Sequence, residues 1–215
     1  MTVKKLILAV LLAPVLILLL VLAGGYVFLQ MESGRNLLVS EIEKAASTPG
    51  EFELELGALE GNIFSDFSIE EVRLRDASGE WMSVENVAVS WAPLDLISGT
   101  LSIHAVTAKA LTVERQPDIP PSEEESESSG GIPSLPVDIR LSRFEIAEIN
   151  IKEPVVGQAA DLSLLMNLNA KIDDVIRSEI KLTELNGSGT HLDGSVDFDP
   201  ARETLAIDAK LDEPE

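Results

Sequence analysis

The two histidines, His104 and His191, are where a search for chemistry in this 215-residue chain begins. A general base needs a group to orient it and a substrate proton within reach, and neither histidine has an obvious partner in the sequence. His104 stands between Ile103 and Ala105 on the polar parity of an alternating stretch, the place of a solvated side chain. "GSGTH" sets Ser188 before His191, but it lacks the G-x-S-x-G elbow and has no lysine for a phosphate-binding loop. The acid pairs Asp173-Asp174 and Asp197/Asp199 are spaced as outward strand or turn residues. Only the second pair shares a strand face, which makes it the one candidate for a weak cation site. Glu123, Glu124, Glu125 and Glu127 crowd together without the ligand spacing of a calcium loop. Asn186-Gly187-Ser188 matches the three-residue glycosylation sequon. Cysteine is absent, so disulfides, thiolate metal sites and a cysteine nucleophile are excluded. The expectation is a protein that is no enzyme and carries no cofactor.

Composition narrows the class further. Hydrophobic residues make up 45% of the chain, aromatic ones only 4%, and the formal net charge is −21. The first thirty residues hold Lys4 and Lys5 and no acid, leaving 14 basic against 37 acidic groups, or −23, for the rest. Such a surface repels phosphate backbones, so nucleic acid is not an expected partner. It also opposes lying flat on anionic headgroups.

The elements that position these residues begin with "LILAVLLAPVLILLLVLAGGYVFL", Leu6 to Leu29, 24 residues without a charge. As a helix it is about 36 Å long, enough to cross a hydrocarbon core of about 30 Å with some tilt. Pro14 is tolerated there as a kink. Lys4 and Lys5 before the run, and Glu32 after it, set the N-terminus in the cytoplasm and the remaining chain outside. The competing reading is a cleaved signal peptide, with Val21-Leu22-Ala23 before Gly24 as its site, but the run exceeds an ordinary signal core and continues past Ala23. Residues 1–30 are therefore expected to be a transmembrane anchor. Residues 31–50 come next as a short amphipathic helix, with Leu37, Leu38, Ile42 and Ala45 at helical spacing, Ser33 as its cap and Pro49-Gly50 as its stop. This helix either closes the near end of the β-structure after it or merely connects.

From Glu51 the period becomes two, as "EFELEL" shows. Phe67 and Ile69 alternate, then Val72 and Leu74 continue on the other parity after Glu70-Glu71, a slip that reads as a bulge. Met82 and Val84 pass in the same way to Val87, Val89 and Trp91. After Pro93 come Leu101, Ile103 and Ala105, then Leu111 and Val113. Residues 51–115 form a first β-segment, and the acidic, proline-rich stretch 116–136 reads as a solvated loop. Residues 137–215 form a second β-segment, with Val137, Ile139 and Leu141, then Phe144 and Ile146, then Leu164, Met166 and Leu168 in phase. Asn186-Gly187 and Asp193-Gly194 read as hairpin turns. About ten strands and no helix beyond Ser47 predict a mainly β, antiparallel meander with one apolar face.

One stretch carries a family resemblance: "ALEGNIFSDFSIEEVRLRDASGEWMSVENVAVSWAPLDLISGTLSIHAVTAKALTVERQP", resumed after an acidic loop by "GIPSLPVDIRLSRFEIAEINI". In order and spacing it is similar to the start of the TamB family, inner-membrane components of the translocation and assembly module, among the AsmA-like, bridge-like lipid-transfer proteins. The resemblance implies a taco-like sheet whose concave side is apolar. It also implies phospholipid conduction toward the outer membrane, or insertion of outer-membrane proteins with a TamA-type barrel. Family chains are several times longer, so this one is expected to be an N-terminal portion, and the barrel contact is expected to lie elsewhere.

The residues themselves fit a groove. An apolar sheet face must be covered by a helix, a second sheet or a ligand, and few helical segments are available. Ten strands at about 4.8 Å make a groove of about 45 Å, lined by Val87, Val89, Trp91, Leu101, Ile103, Leu111, Val113, Val137, Ile139, Leu141, Leu164, Met166 and Leu168. Ser90, Ser102, His104 and Thr112 are expected to face outward. Such a lining takes acyl chains at about 0.8 kcal/mol per buried methylene. The same alternation also suits a closed β-sandwich, which would make the chain a tethered structural domain.

Overall fold

The computed structural model describes residues 24–48, 51–118, 137–171, 174–187, 189–199, 202 and 204–212. Most of the apolar run, most of the acidic loop, Asp173 and Ser188 lie outside those residues. No described helix is long and apolar enough to cross a membrane. Residues 24–30 are helical and meet helix α1, Glu32–Ala46, at a bend on Met31. Met31, rather than Ser33, is the N-cap, and no side chain caps the helix.

Ten strands form one sheet: β1 (Glu53–Leu56), β2 (Leu59–Gly61), β3 (Asp66–Asp76), β4 (Gly79–Ala92), β5 (Thr100–Val113), β6 (Asp138–Ile151), β7 (Ala160–Ala170), β8 (Ile176–Glu184), β9 (His191–Asp199) and β10 (Thr204–Asp212). A 3₁₀ turn, Pro93–Ser98, joins β4 to β5, and a one-turn helix α2, Glu153–Val156, precedes β7. The expectation of no helix beyond Ser47 thus misses two short turns. Both begin at or beside a proline, whose fixed φ suits a first helical turn.

Strand order follows the chain, and β1 and β2 share the outer edge of β3. The sheet therefore has eight inter-strand spacings, about 38 Å at about 4.8 Å each, somewhat shorter than ten separate strands would give. The meander is not wholly antiparallel, because β5 and β6 pair in parallel. Parallel neighbours need a connection that returns along the whole strand, and the chain between Val113 and Asp138 is long enough to do so. Asp193-Gly194 is not a turn either. It lies within β9, with Gly194 paired to Ile180 on one side and Ala209 on the other.

The strands before β7 do not keep a simple period of two. Apolar positions in β5 fall at 101, 103, 106, 108, 111 and 113, and in β6 at 139, 141, 144, 146, 149 and 151. Each step of three carries two successive residues that are not on the apolar side, and in β6 those pairs, Ser142-Arg143 and Ala147-Glu148, are exposed. Two residues turned outward together is the signature of a bulge. The parallel register sets the two series against each other: Leu101 faces Ile139, Ile103 Leu141, Val106 Phe144, Leu111 Ile149 and Val113 Ile151. Where β6 meets β7, which alternates strictly, the surplus residues emerge as register shifts at Leu141/Phe144 and Ile146/Ile149. At Glu70-Glu71 the phase slip is real, yet β3 and β4 keep their register because β4 slips at Glu85-Asn86 opposite. Asn86 takes a positive φ of 50° there, which asparagine tolerates.

Among the described residues there is no second sheet, and with it no closed core of a sandwich. Of the described apolar residues only Leu59, Ile146 and Ala170 are buried. Most of the remaining apolar face is half-buried, and at β10 Ile207 and Ala209 are exposed, which overturns the sandwich alternative.

Candidate functional site

Register turns the apolar positions into rows running across the strands. One row is unbroken over eight strands: Phe67, Val89, Val106, Phe144, Met166, Ile180, Gly194 and Ala209. A neighbouring row runs from Trp91 through Ile103, Leu141 and Leu168 to Ser178, Val196 and Ile207. A row of this kind is the feature that alternation alone does not reveal, since it depends on register.

At the β1–β2 end, α1 covers these rows. Leu38, Val39 and Ile42 of the helix face Leu56, Leu59, Phe67, Ile69, Val89, Trp91, Leu101 and Ile103 around a cavity of about 370 Å³, with Ile63 and Phe64 completing its wall. No charged side chain lines it. Its size falls at the low end of the range for small-molecule pockets, suited to part of a flexible chain rather than a whole lipid. The helix also guards the sheet edge. The backbone N–H of Leu56 donates to Glu43 Oε1 at 2.7 Å and that of Leu54 to Ser47 Oγ at 2.9 Å, occupying edge donors open to another strand. Of the two roles expected for this helix, the structure shows the closing one.

The turn 62–65 binds the helical entrance to the cavity. Gln30 Nε2 donates to Asn62 Oδ1 at 2.6 Å, and the Tyr26 and Phe64 rings lie 5.1 Å apart. Trp91 donates its indole N–H to the Ile63 carbonyl at 2.8 Å and its backbone N–H to the Ser65 carbonyl at 2.9 Å. Gly61, at φ +85°, makes this turn possible, since a Cβ there would come within 2.5 Å of the Asp66 carbonyl oxygen.

The opposite face is laced with charge. Lys181 pairs with Asp193, Arg177 with Asp197, and Lys210 with Asp212. The Lys210 hydrogen bond holds the Asp212 carboxyl below its ordinary range and raises the lysine. His191, which the sequence leaves without partners, has Asp193 and Asp212 oxygens 3.7 and 3.5 Å from Nε2. Register brings them together, as Asp193 lies two residues along β9 and Asp212 directly across on β10. The three could hold a metal ion by distance, but both carboxylates already face lysines. Asp197 and Asp199, spaced as outward residues and the one candidate pair for a weak cation site, lie beside Arg177 and Arg202. A wider hollow of about 830 Å³ spans this face, with Asn167, Glu179, Lys181, Asp193 and Lys210 in its lining. It is a solvated, ion-paired surface rather than a chemical site.

Far from the cavity, Asp76 closes the β3–β4 turn. Its side chain is fully buried, and Arg115 donates to both carboxylate oxygens at 2.5 and 2.8 Å, with the Asp118 and Ser78 N–H groups adding 2.6 and 2.8 Å contacts. The Arg115 hydrogen bonds hold this carboxyl well below the carboxylate range. A depressed pKa adds stability above the unfolded value of about 3.9 and loses it as pH falls through the folded one. Asp76→Asn is therefore expected to lower the thermal midpoint by several degrees at neutral pH, with the deficit shrinking only in strong acid. Thermal scans of both proteins across pH check this.

Val89, Trp91, Leu101 and Ile103 meet in the cavity as the alternation predicts. Val87, Leu111, Val113, Ile139, Leu141, Leu164, Met166 and Leu168 are half-buried along the open face beyond it. Val137 is half-buried but precedes β6 and joins no row. His104 is exposed, as expected, whereas Ser102 is only 3% exposed. The 3₁₀ turn adjoins β5, and the Ser102 hydroxyl meets no hydrogen-bond partner among the described residues. Leu38, Val39, Ile63 and Phe64 escape an alternation-based reading of the site. The helical period of α1 is a usable signal for the first two, while the turn residues have none.

Over residues 18–197 the sequence matches the family described as TamB, N-terminal domain. No curated protein and no solved structure matches it.

Proposed function

This chain belongs to the TamB N-terminal domain family, and from that premise we propose that it is the membrane-proximal segment of a non-enzymatic lipid bridge, anchored in a bacterial inner membrane by residues 6–29. Phospholipid acyl chains lie along the apolar rows with their headgroups at the open side, and the periplasmic sheet passes them toward the outer membrane. The observation that carries the reading is the row from Phe67 to Ala209, apolar across eight strands and covered by no second sheet among the described residues. Dispersion and burial hold an acyl chain there without directional bonds, so it is retained yet free to slide.

Photo-crosslinking in cells tests this, with the probe at Ile103 in the cavity and at exposed His104 as control. Phospholipid captured at position 103 and not at 104 is the expected result. Capture of nothing but the protein's own strands at 103 would refute it. A second reading, assembly of outer-membrane proteins beside a TamA-type barrel, draws on β10, which among the described strands pairs only with β9. Such an edge accepts an added strand. Outer-membrane protein captured along Thr204–Asp212 would favour it.

A further inference from the structure

We propose that the 3₁₀ turn Pro93–Ser98 is an interfacial foot, seated in the surface layer of the same lipid bilayer that the N-terminus enters. In a 3₁₀ helix residues three apart eclipse. Leu94 and Ile97 therefore form one stripe, Pro93 and Leu96 a second, and Asp95 and Ser98 the only polar one. The first stripe points away from the protein: Leu94 is 77% and Ile97 87% exposed, with Leu96 at 41%. A short element apolar on two of three sides and polar on the third has the make-up of one lying in a membrane interface.

Its position identifies the occupant. Tyr26 touches Phe64 and Gln30 binds Asn62, whereas Glu43 and Ser47 reach Leu56 and Leu54. The helical segment thus runs from the 62–65 turn back along the sheet edge, and its first described residues, from Gly24, lie at the 62–65 end. Trp91 ties that end to the start of the 3₁₀ turn through Ile63 and Ser65. The described end of the uncharged stretch, residues 24–29, therefore lies at the rim where Leu94 and Ile97 protrude. Tyr26, Val27 and Met31 are exposed on that rim too. Farther along it, Lys171, Asp174 and Arg202 are charged and exposed, so the foot is confined to the cavity's end. There it would hold Trp91, Leu101 and Ile103, which flank the turn in sequence, against the lipid surface.

The inference rests on the anchor reading, and its test separates the two. The chain has no cysteine, so Leu94→Cys, Ile97→Cys and, at the far ends of the strands, Ser78→Cys can each carry one environment-sensitive NBD label. Full-length protein is reconstituted in phosphatidylcholine vesicles doped with nitroxide lipid. Failure to float with the vesicles would remove the anchor and the foot together. In floating protein, a blue shift and loss of most emission at 94 and 97, with neither at 78, is the expected result. Labels at 94 and 97 as wet and unquenched as at 78 would overturn the foot while leaving the anchor intact. A blue shift without nitroxide quenching would assign the turn to a second copy of the chain, and overturns it equally.

Discussion

Ile103→Asp is expected to abolish phospholipid capture from the cavity while leaving the protein folded and membrane-bound. The side chain lines a cavity without charged neighbours, and an unpaired polar group in such a place costs about 1–3 kcal/mol. That corresponds to a loss of about one to two orders of magnitude in occupancy. Because Ile103 lies across from Trp91 and Leu141 in one row, the carboxylate also interrupts the track next to the cavity. The check is lipid crosslinking at a neighbouring position, Leu101, in variant and parent, with membrane fractionation as the control for insertion. Undiminished capture in a folded variant would remove the main support for conduction.

Gly34→Val is expected to separate the helical segment 24–30 from the sheet. A Cβ on Gly34 would lie 2.0 Å from the Phe28 carbonyl oxygen and 2.7 Å from its carbon. Backbone cannot yield as a flexible side chain would, so the bend at Met31 must open. Opening it pulls Tyr26 from Phe64 and Gln30 from Asn62. The sheet keeps its own register, since no strand pairing involves these residues. Tyr26 is the chain's single tyrosine, so loss of its near-ultraviolet circular dichroism signal, with the strand signal unchanged, reports the break. Lipid delivery should fall with it, whereas a tyrosine signal identical to the parent's would show that the bend tolerates the side chain.

Much of this architecture is legible in the sequence. "EFELEL" and the run from Leu162 to Ala170 alternate because one face meets water and the other does not, and side-chain period two records that directly. Pro93 and Gly99 bracket the 3₁₀ turn, although the turn itself hides inside an apparent loop. What stays hidden is pairing. The parallel β5–β6 joint depends on where a long acidic connection returns, and composition is silent on that. Asp193-Gly194 has good turn chemistry yet sits mid-strand, because hydrogen bonding on both sides overrides local preference. The groove-versus-sandwich question is illegible for the same reason, since both present alternating strands. His191 illustrates the limit well: its partner Asp212 is far along the chain and adjacent only through register.

The strand order has a kinetic consequence. Beyond β3 each described strand pairs only with its neighbours in the chain, so the sheet's stability is close to a sum of nearest-neighbour terms, like that of a repeat array. Hairpins such as β3–β4 and β8–β9 close short loops and can form wherever a turn nucleates first. The β5–β6 joint must instead close the long segment from Val113 to Asp138, and loop entropy concentrates there. Two half-sheets, β1–β5 and β6–β10, would then assemble separately and zip together last. They would do so along the two strands whose apolar steps of two and three match one for one, a pattern that admits few wrong alignments.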